Sequence, residues 1–159
     1  MLFFTLYGIT GETITMDTRM QILRPRRQPP GVSYPLFMDT VPAGFPSPAD
    51  DYIDGKLDLN SHLIKHPAAT YFVRAVGDSM IDAGIHAGDI LVVDRAVEPR
   101  NDSVVIAVVD GELTVKRLRK SGGMVMLIPG NSSYEPLPID GDMRFEIWGV
   151  VITVIHQLF

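Results

Sequence analysis

The fold is decided by one stretch, SVVIAVVDGELTVKRL, at residues 103–118. Two runs rich in valine, isoleucine and leucine flank the pair Asp110-Gly111. An Asp-Gly pair suits the two-residue turn of a β-hairpin, because both of its residues tolerate positive φ angles. The stretch therefore predicts two antiparallel strands joined by a tight turn.

Further short β-type runs lie on both sides of this hairpin. They read ATYFVRAV, DILVVDRA, MVMLIPG and FEIWGVVITVI, at residues 69–76, 89–96, 124–130 and 145–155. Such a density of short strands predicts a mainly β domain, in the form of an antiparallel half-barrel or sandwich. The last run is apolar on both faces, so Trp148 and its neighbours are expected in the core or in a dimer interface.

Two segments that precede these runs have a different character. The segment LDLNSHLIKHP, at residues 57–67, predicts a short helix that is capped by Asn60 or Ser61 and stopped by Pro67. Nearer the N-terminus, RPRRQPPG at residues 24–31 and further prolines at 35, 42, 46 and 48 oppose regular structure. We therefore expect an extended N-terminal arm, of the kind that a protease binds as a strand.

Composition excludes several classes of function. The chain has 159 residues, 46% of them hydrophobic, and a net charge of −5, so we expect one core and no direct DNA binding. It has no cysteine, which excludes disulfides and thiol catalysis. The apolar opening MLFFTLYGIT is only ten residues long and lacks a basic start, which predicts no membrane span and a cytoplasmic location.

The four histidines, His62, His66, His86 and His156, are scattered along the chain. Only His62 and His66 have the spacing of one helix face, and no HExxH motif or third ligand accompanies them. The sequence therefore predicts no metal site and no cofactor.

Ser79, in VGDSMID, follows a predicted strand and could be presented at its end. A serine needs a base to become a nucleophile, and the histidines suggest no Ser-His-Asp arrangement. A desolvated lysine can serve as that base, because burial favours its neutral form. Lys116 is the candidate, and strand alternation places it on the same face as Thr114 and Leu118. From the residues alone, Lys116 is interpreted as a solvated strand residue and Ser79 as a turn serine.

Three sequence segments favour the catalytic interpretation of Ser79 and Lys116, because they resemble those of a known family. GFPSPA at 44–49, HPAATYFVRAVGDSMIDAGIHAGDILVVDRA at 66–96 and DGELTVKRL at 110–118 resemble the UmuD branch of the LexA-like S24 peptidases. The resemblance implies a β domain of the LexA C-terminal type, with Ser79 and Lys116 as a catalytic dyad. It also implies self-cleavage at Ala43-Gly44, with backbone amides near Asp78 and Ser79 holding the oxyanion.

The implied cleavage divides the chain into a flexible N-terminal arm, residues 1–43, and an S24 peptidase-like domain, residues 44–159. Two features depart from the family pattern. Pro42 restricts the backbone beside the scissile bond, and the arm is longer and richer in arginine than expected. Both affect the rate of cleavage rather than the dyad.

By resemblance, the chain is an SOS mutagenesis protein that a RecA filament on single-stranded DNA stimulates to cleave itself. The shortened homodimer then joins a UmuC-type, Y-family polymerase for translesion synthesis. One alternative is a LexA-like repressor, although residues 1–43 are too short and proline-rich for a helix-turn-helix. Another is a non-cleaving module that only binds a polymerase.

Overall fold

The computed structural model describes residues 5–7, 13–15, 22–23, 33–37 and 53–158. Within these ranges the chain is mainly β, with a single α-helix and a 3₁₀ turn over Ile81–Ala83. The elements are β1 (Thr5–Tyr7), β2 (Thr13–Thr15), β3 (Ile22–Leu23), β4 (Tyr34–Phe37), β5 (Ile53–Leu57), α1 (Leu59–Leu63), β6 (Thr70–Arg74), β7 (Ile90–Asp94), β8 (Val104–Val109), β9 (Glu112–Ser121), β10 (Met124–Ile128), β11 (Leu137–Ile139) and β12 (Phe145–Ile155).

The chain divides into two compact units, of which the smaller comprises Arg26–Lys65. In this unit β4 pairs with β5 in antiparallel register, and α1 follows. The predicted helix is present, but the prediction of its cap is wrong. Asp58 caps it, because its carboxylate accepts hydrogen bonds from the Asn60 amide at 3.0 Å and the Ser61 hydroxyl at 2.8 Å. In the described part of the chain no helix has the length and apolar character that crossing a membrane requires.

The larger unit comprises Met1–Pro25 and His66–Phe159. Its main sheet has the order β11-β10-β9-β8-β12-β7-β6-β3, with every neighbouring pair antiparallel. Here β1 and β2 form a separate two-stranded sheet. The main sheet is open, with β11 and β3 at its two edges. The predicted fold class, a mainly β antiparallel domain, is therefore confirmed.

The hairpin predicted at the start is β8 and β9, joined by two residues. Asp110 has a φ of 51° and Gly111 a φ of 89°, the pair of positive angles that a tight hairpin turn needs. The turn thus fixes the register that pairs Val105 with Lys116.

β8, in the middle of the main sheet, is buried on both faces. Its residues alternate between two apolar clusters: Ile106 and Val108 belong to one, and Val105 and Ala107 to the other. A strand that is buried on both faces needs an unbroken apolar run, which is what the sequence VVIAVV provides. Trp148 lies in the first cluster and is 9% exposed, so it is a core residue.

Candidate active site

Ser79 lies in the loop that follows β6. At the start of this loop the Ala75 amide donates to the Asp89 carbonyl at 2.8 Å, and the Gly88 amide donates to the Ala75 carbonyl at 2.9 Å. Just after Ser79, the Met80 side chain is 2% exposed and packs in the first apolar cluster. The loop is therefore fixed at both ends, and Ser79 is held between them, half-buried.

Lys116 lies on β9, where its backbone pairs with the fully buried Val105 of β8. Its Nζ atom is 2.8 Å from Ser79 Oγ, across 37 residues of sequence. The structure thus brings together the two residues that the sequence analysis named as a candidate dyad.

The surroundings of Lys116 favour a neutral amine. Burial lowers the pKa of Lys116 below the ordinary value of a lysine. Among the described residues, no carboxylate lies within salt-bridge distance of its Nζ atom. An ammonium at this position would therefore lack both full hydration and a counter-charge.

Three oxygen atoms surround Nζ. Nζ donates to the Val115 carbonyl at 3.0 Å and to Thr114 Oγ1 at 3.1 Å. Ser79 Oγ is the third oxygen within hydrogen-bond distance. In a neutral amine the two N–H donors would serve Val115 and Thr114, and the lone pair could then accept the hydroxyl proton of Ser79. Thr114 was not identified from the sequence as part of the site, because its polar side chain in an alternating strand carries no distinctive signal.

The predicted oxyanion donors are the backbone amides of Asp78 and Ser79. Neither amide donates a hydrogen bond to another described residue. Amides without a partner in the described part of the chain are what an oxyanion hole requires.

The Ser79 loop is also held by a second loop, which the sequence analysis missed. We call residues 130–134 the clamp loop. Asn131 Nδ2 donates to the Asp78 carbonyl at 3.1 Å, and the Tyr134 hydroxyl donates to the Asp78 carboxylate. Gly130 accepts from the Asp82 amide at 2.7 Å through its carbonyl. These contacts join residues that are more than 50 positions apart or nearly so, such as 53 and 56 for the two bonds to Asp78, so no local sequence pattern indicates them.

Asp78 and Asp82, which lie near Ser79, are both bonded to the clamp loop. The Asp78 carboxylate receives the Tyr134 hydroxyl, and the Asp82 amide is bonded to the clamp loop. The Asp78 carboxylate therefore has a structural partner in the clamp loop. The remaining predicted site residues, Ala43 and Gly44, lie outside the described residues.

Comparison with known proteins identifies the family. The model of the Peptidase S24-like family matches residues 35–152. The chain is 46% identical to protein SamA of Salmonella typhimurium over 136 residues, which are 86% of this chain and 94% of SamA. It is 48% identical to protein ImpA of Escherichia coli over 129 residues, 77% of this chain and 83% of ImpA.

A third relative is protein MucA of Escherichia coli, which is 44% identical over 120 residues, 75% of this chain and 82% of MucA. The matched family region contains both Ser79 and Lys116, and the fold and the relatives agree with the resemblance seen in the sequence. The chain belongs to the S24-like peptidase family and is a UmuD-type member of it, a self-cleaving protein of SOS mutagenesis.

Proposed function

We propose that this chain cleaves its own Ala43-Gly44 bond, with Ser79 as nucleophile and Lys116 as general base. One observation carries the proposal: Lys116 Nζ lies 2.8 Å from Ser79 Oγ in a chain of the S24-like family. A hydrogen bond between a nucleophile and a base within this range is the arrangement that proton transfer requires.

The steps follow from these atoms. Lys116 Nζ takes the hydroxyl proton of Ser79 while Ser79 Oγ forms a bond to the carbonyl carbon of Ala43. The amides of Asp78 and Ser79 stabilise the negative oxygen of the tetrahedral intermediate. The intermediate collapses, the bond to the Gly44 nitrogen breaks, and that nitrogen takes the proton from Lys116. Water then hydrolyses the ester on Ser79 and restores the free hydroxyl.

Lys116 can accept a proton in this mechanism because burial lowers its pKa towards the working pH. Thr114 Oγ1 and the Val115 carbonyl each accept a hydrogen bond from Nζ, which holds this atom beside Ser79 Oγ. Ala43 and Gly44 are small residues, which suits close approach of the scissile backbone to the nucleophile.

We further propose that cleavage is a switch rather than a digestive activity. A RecA filament on single-stranded DNA would favour the conformation in which the arm, residues 1–43, occupies the site, and would thereby accelerate an intrinsically slow reaction. The shortened homodimer would then join a Y-family polymerase, in the cytoplasm. This part of the proposal is supported by kinship with the UmuD branch.

The test is mass spectrometry of the purified full-length chain, incubated at mildly alkaline pH with and without an active RecA filament. A fragment that begins at Gly44, and that forms faster with the filament, supports the proposal. A chain that stays intact under both conditions overturns it in favour of a non-cleaving module, and a fragment that begins elsewhere overturns the assigned bond.

Binding to the polymerase is tested separately. The cleaved chain and the uncleaved Ser79→Ala variant are each mixed with a Y-family polymerase and passed through a sizing column. Co-elution of the cleaved form as a dimer, with weaker or no co-elution of the uncleaved variant, supports the switch. Equal co-elution of both forms contradicts it.

A further inference from the structure

A second cluster of chemically active side chains lies outside the proposed dyad. It consists of His86, Asp89 and His156, whose nitrogen and oxygen ligand atoms all lie within 4.8 Å of one another. The sheet explains the meeting of residues so distant in sequence. The last residue of β12, Ile155, pairs with the first residue of β7, Ile90. Asp89 directly precedes β7, and His156 directly follows the neighbouring strand β12. The two residues therefore lie side by side at the same end of this strand pair.

Asp89 is the buried centre of this cluster, with a side chain that is 2% exposed. Its Oδ2 accepts the His86 amide at 2.8 Å, and its Oδ1 lies 2.6 Å from His156 Nδ1. Both carboxylate oxygens therefore have a partner, and the side chain is held in a fixed position.

The His86 side chain has a buried nitrogen atom that a ligand could bind. Its Nδ1 atom is buried and has no hydrogen-bond partner among the described residues. It lies 3.8 Å from Asp89 Oδ2, which is too long for a hydrogen bond. A buried polar atom without a partner is unfavourable, and a ligand that accepts its lone pair would remove that cost.

We propose that His86, Asp89 and His156 bind one divalent transition-metal ion of the zinc class. Two imidazoles and one carboxylate are a donor set that zinc accepts, with water in the fourth position. Magnesium and calcium prefer oxygen ligands alone, so the two imidazoles select against them.

The ligand atoms must shift to accept the ion. Ligand atoms of a tetrahedral zinc site lie about 3.3 Å apart. Here Asp89 Oδ1 lies 2.6 Å from His156 Nδ1 and Asp89 Oδ2 lies 3.8 Å from His86 Nδ1, so the first distance must lengthen and the second must shorten. Both histidine side chains are nearly half exposed, at 45% and 44%, so their rings are free to move while Asp89 stays in place.

The ion would link two parts of the larger unit. His156 directly follows β12, and Asp89 carries the carbonyl that accepts the Ala75 amide at the start of the Ser79 loop. Metal binding would therefore stabilise the folded domain, because a ligand that binds only the folded state raises its stability. The inference does not depend on the proposed cleavage, since it uses none of the atoms of the dyad.

The experiment uses the full-length chain, free of any polyhistidine tag and of chelating buffer. Zinc chloride is titrated by calorimetry, and cobalt chloride by visible absorption, which reports nitrogen and oxygen ligands around the ion. We expect one ion per chain and a melting temperature that rises with the zinc concentration. His86→Gln and His156→Gln should each weaken zinc binding by about 10-fold or more, since even outer groups of metal sites have effects of this size.

His62→Gln and His66→Gln are the controls. His66 is well matched, because its Nδ1 also lies 2.6 Å from a buried carboxylate, that of Asp94, but no third ligand from the described residues joins them. Both controls should bind zinc like the parent chain. Absence of saturable binding by either ion in the parent overturns the proposal, and so does binding that survives in both His86→Gln and His156→Gln. Circular dichroism of each variant separates loss of binding from loss of folding.

Discussion

Lys116 Nζ lies 2.8 Å from Ser79 Oγ, although three strands of the main sheet lie between β9 and β6. Lys116 is on β9, whereas Ser79 follows β6, and β8, β12 and β7 lie between. Strand pairing therefore does not bring the two side chains together. The Ser79 loop does so by reaching back from β6, and the clamp loop after β10 holds it there.

The first prediction concerns the dyad itself. Ser79→Ala and Lys116→Ala should each reduce self-cleavage at least about 1000-fold, because each removes one partner of a nucleophile–base pair. Lys116→Arg should be equally inactive, since an arginine does not lose its proton. Fragment formation by the purified chain, followed by mass spectrometry, measures the effect.

Lys120→Ala is the matched control for the lysine variants. It removes a lysine from the same strand, β9, but from an exposed position whose Nζ bonds, among the described residues, only to the Pro99 carbonyl. It should cleave at the parental rate. Parental activity in Lys116→Ala, or an equal loss in Lys120→Ala, would be incompatible with the assigned base.

The rate of cleavage should rise with pH. Lys116 acts as a base only when neutral, and burial lowers its pKa, so the neutral fraction grows as pH rises through this lowered value. The rate should level off before the ordinary pKa of a lysine is reached. The pH profile of fragment formation by the parent chain measures this, and a rate that is independent of pH or falls with it would contradict the mechanism.

Lys116 should also reduce the stability of the folded state at neutral pH. Its pKa is lowered in the folded chain, so the unfolded chain binds more protons between the lowered and the ordinary value, and stability rises with pH through that range. Below the lowered pKa the full cost of the partly buried charge remains. Lys116→Met keeps the length of the side chain without the charge and should therefore raise the melting temperature at neutral pH.

The stability of Lys116→Met should also lose the alkaline rise that the parent shows. Thermal melts of the parent and the variant across a pH series test both statements, with the Ser79→Ala background used in each so that no chain is cut. A variant that melts below the parent at neutral pH would show that the lysine contributes more by its hydrogen bonds than it costs by desolvation.

Gly130→Ala should disturb the clamp loop. An added Cβ would lie 3.1 Å from the Ala83 Cβ and 3.3 Å from the Met80 Cα, tighter than ordinary contacts. We expect a loss of about 1–3 kcal/mol in stability, typical of overpacking, and slower cleavage. Gly141→Ala is the control, because a Cβ there meets nothing within 4 Å and the backbone has no positive φ. Urea unfolding measures the stability, and a Gly130→Ala variant as stable as Gly141→Ala would contradict the packing.

Asn131→Asp separates the two hydrogen bonds of Asn131. The variant keeps the oxygen that accepts the Ser133 amide at 2.9 Å but loses the donor to the Asp78 carbonyl. Because that carbonyl orients the peptide leading to Ser79, and the new carboxylate oxygen would repel it, cleavage should slow by up to about 100-fold, which is more than the loss of stability accounts for. Ser132→Ala, an exposed neighbour, should affect neither. A proportionate loss of stability and rate in Asn131→Asp would indicate a purely structural role.

The sequence by itself determined the strands and the hairpin that pairs β8 with β9. Asp110-Gly111 fixed the tight turn because of its tolerance of positive φ, and the apolar runs of β8 and β12 marked strands buried on both faces. These signals are local, and local preferences act within a few residues. The pairing of Ser79 with Lys116 came from resemblance to a family rather than from any local pattern.

Only the tertiary structure decided which side chains meet. The contact of Ser79 with Lys116, the clamp loop on Asp78, and the cluster around Asp89 all join residues from distant parts of the chain. The burial that lowers the pKa of Lys116 is likewise absent from the alternation of β9, which fits a solvated lysine equally well. The physical reason is that desolvation and hydrogen bonding depend on what packs against a residue, and that is set by the folding of the whole sheet.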